Sequence, residues 1–146
     1  MAFESGPYLV AAILCEKILV EQDGLKSLIR IFDRTTRQIT RVSPPEVMEP
    51  FDFDHSLFLS FKSGQARGPM TLRVTVIRPT GESPPPFQAQ LHFEGEDDRG
   101  VDIAAQMRLH VEIPGMYWFV ISLDGVPVTR IPWRVLYEPR ISPTPA

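Results

Sequence analysis

Cys15 is the only thiol in the chain. A cysteine nucleophile needs a base and an accessible, electropositive surrounding that favours the thiolate. Its chain neighbours are Leu14 and Glu16, and it ends the apolar run that starts at Tyr8. The sequence therefore predicts a small buried residue in mid-strand, the usual role of an unreactive cysteine. His55, His92 and His110 are scattered. His92 and His110 fall on strands that are candidate neighbours, but no Cys or second His stands at zinc-ligand spacing. The densest acidic stretch, Phe93-Glu94-Gly95-Glu96-Asp97-Asp98-Arg99-Gly100-Val101-Asp102, carries the oxygen ligands that calcium takes. It lacks the spaced D-x-[DN]-x-[DN]-G loop and reads as a solvated hairpin tip. No catalytic residue, metal ligand or cofactor is assigned.

Other chemistries leave no trace. There is no G-x-S-x-G, H-E-x-x-H, G-x-G-x-x-G or phosphate-cradling P-loop. The expectation is a protein that is not an enzyme. A net charge of -3, with no clustering of basic residues and aromatics, gives no reason to expect nucleic-acid or membrane-surface partners. A lone cysteine cannot form an internal disulfide, which suits a reducing compartment. Met1 to Pro7 holds Glu4 and no Lys or Arg, unlike the basic start of a signal peptide. The expected location is the cytoplasm.

These residues must be positioned by strands, because the periodicity is that of strands. Tyr8 to Val20 is apolar on both alternating faces, as in a central strand. Leu25 to Arg34, Ser56 to Lys62, Met70 to Arg78, Phe87 to Phe93, Gln106 to Ile113, Met116 to Leu123 and Val126 to Tyr137 follow. Asp23-Gly24 and Asp124-Gly125 are hairpin dipeptides, since both residue types tolerate positive φ. Ser43 to Asp54, with three of the chain's prolines, should cross between sheets, and Gly81 to Pro86 should form an extended loop. The predicted fold is all-β, an immunoglobulin-like antiparallel sandwich of about 7–9 strands. Residues 1–146 form one domain, with a core from about 7 to 138 and a flexible tail over 139–146. Tyr117, just after the Pro114-Gly115 turn, takes the place of a tyrosine corner.

The two Asp-Gly turns set two registers. A two-residue turn at Asp124-Gly125 opposes Leu123 to Val126, and extending that ladder points the Pro132 nitrogen at its partner strand. A bulge or strand departure between Val128 and Pro132 is expected, because proline has no donor. Both faces of this hairpin are apolar. Trp118, Ile131 and Trp133 form the face outside the core, to be covered by a loop or by a partner. In the first hairpin, a three-residue loop with a left-handed Gly24 sets Glu16 opposite Arg30, Cys15 opposite Ile31 and Lys17 opposite Ile29. Glu16 and Arg30 are then a structural cross-strand pair that avoids burying a lone carboxylate.

Cys15-Glu16-Lys17, Asp23-Gly24 and Ser27-Leu28-Ile29-Arg30-Ile31-Phe32-Asp33-Arg34 resemble the start of a family of small uncharacterised bacterial proteins, a domain of unknown function. Gly115-x-Tyr117-x-Phe119, then Asp124-Gly125 and Arg130-Ile131-Pro132, resemble its end. The resemblance implies a bacterial origin and a sandwich fold, and no activity. The expected function is a binding module, with a protein partner or a second copy as the first reading. The alternative is a small ligand or metal ion held by loops at one end, Glu94 to Asp102 and Ser43 to Asp54.

Overall fold

The computed structural model describes residues 4–143. They form nine strands: β1 (Tyr8–Val20), β2 (Lys26–Ile31), β3 (Arg34–Arg41), β4 (Phe51–Lys62), β5 (Arg67–Ile77), β6 (Phe87–Glu94), β7 (Gly100–Val111), β8 (Gly115–Leu123) and β9 (Val126–Ile141). Two sheets stack as an immunoglobulin-like sandwich, one ordered β2-β1-β4-β7 and the other β3-β9-β8-β5-β6. Alternation builds the interface between them: Leu57, Leu59 and Phe61 of β4 face Tyr117, Phe119, Ile121 and Leu123 of β8, all buried. The Tyr117 hydroxyl donates to the Ile113 carbonyl at 2.6 Å and closes the corner before β8.

Leu25 to Arg34 is not one strand. Phe32 and Asp33 interrupt it, and β3 continues in the opposite sheet, parallel to β9 from Arg34↔Arg134 to Arg41↔Ile141. The break lets Phe32 drop between the sheets, edge-on to Phe53 with centroids 5.4 Å apart. The segment after β3 crosses back to β4. It is pinned by Met48, which is buried, and by the Tyr137 hydroxyl, which donates to the Pro45 carbonyl.

The acidic stretch is a crossover from β6 to β7, in different sheets, and not a hairpin tip. The same separation keeps His92 on β6 apart from His110 on β7. The tail is shorter than expected, because residues 139–141 pair with 39–41 of β3 and the Ser142 amide donates to the Arg41 carbonyl. Residues 144–146 lie outside the described residues.

Candidate functional site

The last hairpin turns as a two-residue loop, with Leu123 opposite Val126 and Asp124 at φ 47°. One residue later the register shifts: Ser122 pairs with Pro127 and Ile121 with Thr129, so Val128 is the extra residue of a bulge. Pairing then resumes through Trp118↔Pro132 and Tyr117↔Trp133. The shift reverses the parity of every later residue in β9. The Pro132 nitrogen now points away from β8, toward the stretch of edge that β3 does not reach. The missing proline donor thus costs no ladder bond.

The same shift corrects the expected apolar face. Trp118, Ile131 and Trp133 do not lie together. Trp133 turns into the core beside Tyr117 and is fully buried, stacked on Phe53 at 4.6 Å, with its Nε1 donating to the Thr35 hydroxyl at 2.9 Å. Ile131 packs against the same core. Trp118 remains on the outer face, half-buried under the Arg130 guanidinium, which lies 4.3 Å from the ring centroid. Among the three, only Trp118 contributes to an outer surface.

The core ring cluster contains one group that sequence reasoning left unassigned. His55 is buried between Phe53, centroids 5.1 Å apart, and the edge of Phe119 at 5.5 Å. Its Nδ1 lies 3.3 Å from the Phe53 carbonyl, and its Nε2 has no partner. Burial pushes its pKa below the usual histidine value, against weaker upward pulls from that carbonyl and Asp54. The Asp-Phe-Asp-His alternation of Asp52 to His55 is the signal: it puts the aspartates outside and Phe53 and His55 inside. On the outside Asp54 binds Arg108 (2.6 and 3.1 Å) and Asp52 binds His110 (2.8 Å) across β4 and β7.

The first hairpin has a left-handed Gly24 at φ 85°, and pairs Cys15↔Ile31 and Lys17↔Ile29. Between those pairs Arg30 takes φ 57°, a strained value for a residue with a side chain, and its Nε contacts the Glu16 carboxylate. Both side chains are exposed, Arg30 at 78% and Glu16 at 58%, so no buried carboxylate is being rescued. The kink instead redirects the ribbon. Lys26 pairs with Val20 at its tip, and Asp102 pairs with Ser60, which lies opposite Ala11. A flat sheet would hold Lys26 about 30 Å from Asp102, at 3.3 Å per residue along β1. Their charged groups are 3.5 Å apart. The ribbon therefore folds back over the outer face of the four-stranded sheet.

Cys15 sits on that outer face, between Ile31 and Ser56, and is covered there. Burial raises the thiol's pKa, which leaves it a poor nucleophile. The folded ribbon is unusual. Leu19, Val20, Leu25, Ile29 and Ile31 along it are all exposed, with Val20 and Ile31 at 63% and Leu25 at 68%. β2 also ends its sheet, so one of its edges has no neighbouring strand among the described residues. At the base of the ribbon a groove of ≈ 630 Å³ runs past Glu16, Arg30, Phe32, Arg34, Thr35 and Phe53.

A family model, described as a family of unknown function (DUF6941), matches residues 10–136. The chain belongs to that family. No curated protein matches it. Among solved structures it is similar to the CARDB domain of the PF1109 protein from Pyrococcus furiosus, a complex with di-metal ions. That match has 10% identity and a TM-score of 0.41, covering 88% of this chain and 94% of that one. It is also similar to an immunoglobulin-like protein from Pseudomonas aeruginosa (11%, TM-score 0.33, covering 86% and 97%). A third match is the alkylpurine DNA glycosylase AlkC of Pseudomonas fluorescens, bound to DNA containing an abasic site analog (12%, TM-score 0.38, covering 67% and 27%).

In this family member part of the acidic crossover is paired. Arg99 contacts Glu94 and lies 3.2 Å from Glu96, while Asp102 accepts from Ser60 at 2.7 Å. No group of three metal-ligating side chains occurs among the described residues. Nor is any helix among them long and apolar enough to cross a membrane.

Proposed function

We propose that this domain is a non-enzymatic binding module that docks a protein through the β1–β2 ribbon. The carrying observation is the coincidence of five exposed aliphatic side chains with the free edge of β2. Proteins usually blunt such edges with charge, proline or a covering loop. Here Lys26 and Arg30 are turned to Asp102 and Glu16 and the edge also carries Ile29 and Ile31, so a partner strand laid along it would gain backbone hydrogen bonds and apolar burial together. A single cysteine suits action in a reducing compartment such as the cytoplasm.

Photo-crosslinking from position 31, in the native host, tests the reading, with position 90 on the far sheet as the control. A partner should be captured at 31 and not at 90, and Ile29→Lys should abolish capture while circular dichroism stays unchanged. Capture that is equal at both positions, or untouched by Ile29→Lys, sinks the proposal. Light scattering separates the two partner classes: a dimer that Ile29→Lys dissociates identifies a second copy of the chain.

A further inference from the structure

We propose that the sandwich also binds a small amphipathic carboxylate, between the free edges of β6 and β7, with the carboxylate on Arg78. On this side the two sheets end without a connecting ladder. They leave a cavity of ≈ 290 Å³ walled by Val74, Val76, Phe87, Leu109 and Phe119, with Pro84 and Pro85 beside it. This wall is the inner face of both sheets, so its chemistry is that of a core.

Three basic residues border the cavity, and two of them turn their side chains to the outer face, Arg108 to Asp54 and His110 to Asp52. Arg78 is different. Its Nη2 makes one long bond, 3.5 Å, to the His110 carbonyl, and its buried Nε has no partner. Among the described residues no carboxylate lies within ion-pair distance of it. The guanidinium is partly buried with its Nε unsatisfied, and its fixed fork of donors matches a planar carboxylate. A ligand with a carboxylate for Arg78 and a short alkyl body for Val76 and Leu109 would satisfy both halves of the cavity. Pockets that pair an apolar lining with one placed charge select ligands of this kind. The site is distinct from the β1–β2 ribbon, since β6 and β7 close the far ends of the two sheets.

The test is titration calorimetry on the full chain with hexanoate, hexanol and acetate, paired with thermal melts. Hexanoate should bind and raise the melting temperature, while hexanol, lacking the charge, and acetate, lacking the chain, should not at equal concentration. Arg78→Met should weaken hexanoate at least tenfold, yet melt no lower than the parent, because it removes an unpaired charge. A purely structural arginine would instead lower the melting temperature. Met107→Trp, which narrows the cavity and keeps Arg78, should also abolish binding, and it decides the matter if Arg78→Met does not fold. No heat with hexanoate up to about 10 mM, roughly ten times a 1 mM Kd, overturns the proposal. So does acetate matching hexanoate, or either variant binding as the parent does.

Discussion

The two hairpins are built from the same parts and meet opposite fates. Each turns at Asp-Gly, and each carries one non-glycine residue at positive φ, Arg30 in the first and Asp124 in the second. The β8–β9 hairpin lies inside a five-stranded sheet, between β5 and β3. Its apolar residues close the core, and its irregularity, the Val128 bulge, turns Trp133 inward. The β1–β2 hairpin hangs from the end of a four-stranded sheet. Its kink folds it outward, and five of its aliphatic residues stay in water. A hairpin's local grammar sets its turn and register; its neighbours decide whether its apolar side chains are core or surface.

The sharpest way to break this comparison is at the tryptophans. Trp133→Ala should destabilise the fold by about 3–5 kcal/mol, the cost of emptying a buried aromatic site. Trp118→Ala, on the outer face under Arg130, should cost about 1 kcal/mol or less. Urea melts that give the two equal costs would refute the inward turn of Trp133.

The next largest effect separates the turn aspartates. Asp124 accepts from the Thr71 amide at 2.8 Å, and its own amide donates to the Thr71 carbonyl at 2.9 Å, so the turn is tied to β5. Asp23 accepts only from Leu25, two residues on. Asp124→Ala should cost about 1–1.5 kcal/mol and Asp23→Ala only a few tenths. Equal losses in chemical melts would show that the β1–β2 turn is held as firmly as the other.

A third test uses protons. His55 has a lowered pKa when folded, so the unfolded chain binds its proton first. Its contribution is complete above pH 6.5, the unfolded value, and is lost as pH falls below it. The slope is at most about 1.4 kcal/mol per pH unit. His55→Leu should flatten stability between pH 7 and 5, and a slope that survives this substitution would refute the assignment. The smallest effect is expected at the base of the ribbon: Glu16→Gln should change stability by less than about 0.5 kcal/mol, as exposed ion pairs do. A larger loss would mean that the pair holds the kink.

Sequence patterning reached further into some elements than others. Period-two alternation exposed most strands, and the turn chemistry of Gly24 set the first register through Cys15↔Ile31. The break at Phe32-Asp33 escaped, because leaving a sheet edge for the opposite sheet has no local signature. The two-residue turn at Asp124-Gly125 was legible, and Pro132 signalled that the ladder must shift. Where the extra residue sits was not, so Trp133 was placed on the wrong face. The exposed ribbon escaped for a related reason: aliphatic residues in a strand look alike whether a second layer covers them or not. Arg78 gave no signal at all, since a cavity between two sheet edges is made by residues far apart in the chain.

Local chemistry thus decided the strands, both turns, the Tyr117 corner and the sandwich class, because side-chain period, positive φ and a hydroxyl's reach act over a few residues. The tertiary structure alone decided the bulge at Val128, the kink at Arg30, the partnerless Nε2 of His55 and the unpaired guanidinium of Arg78. Each depends on which backbone or side chain arrives from a distant strand, and one residue of register moves a side chain from core to solvent.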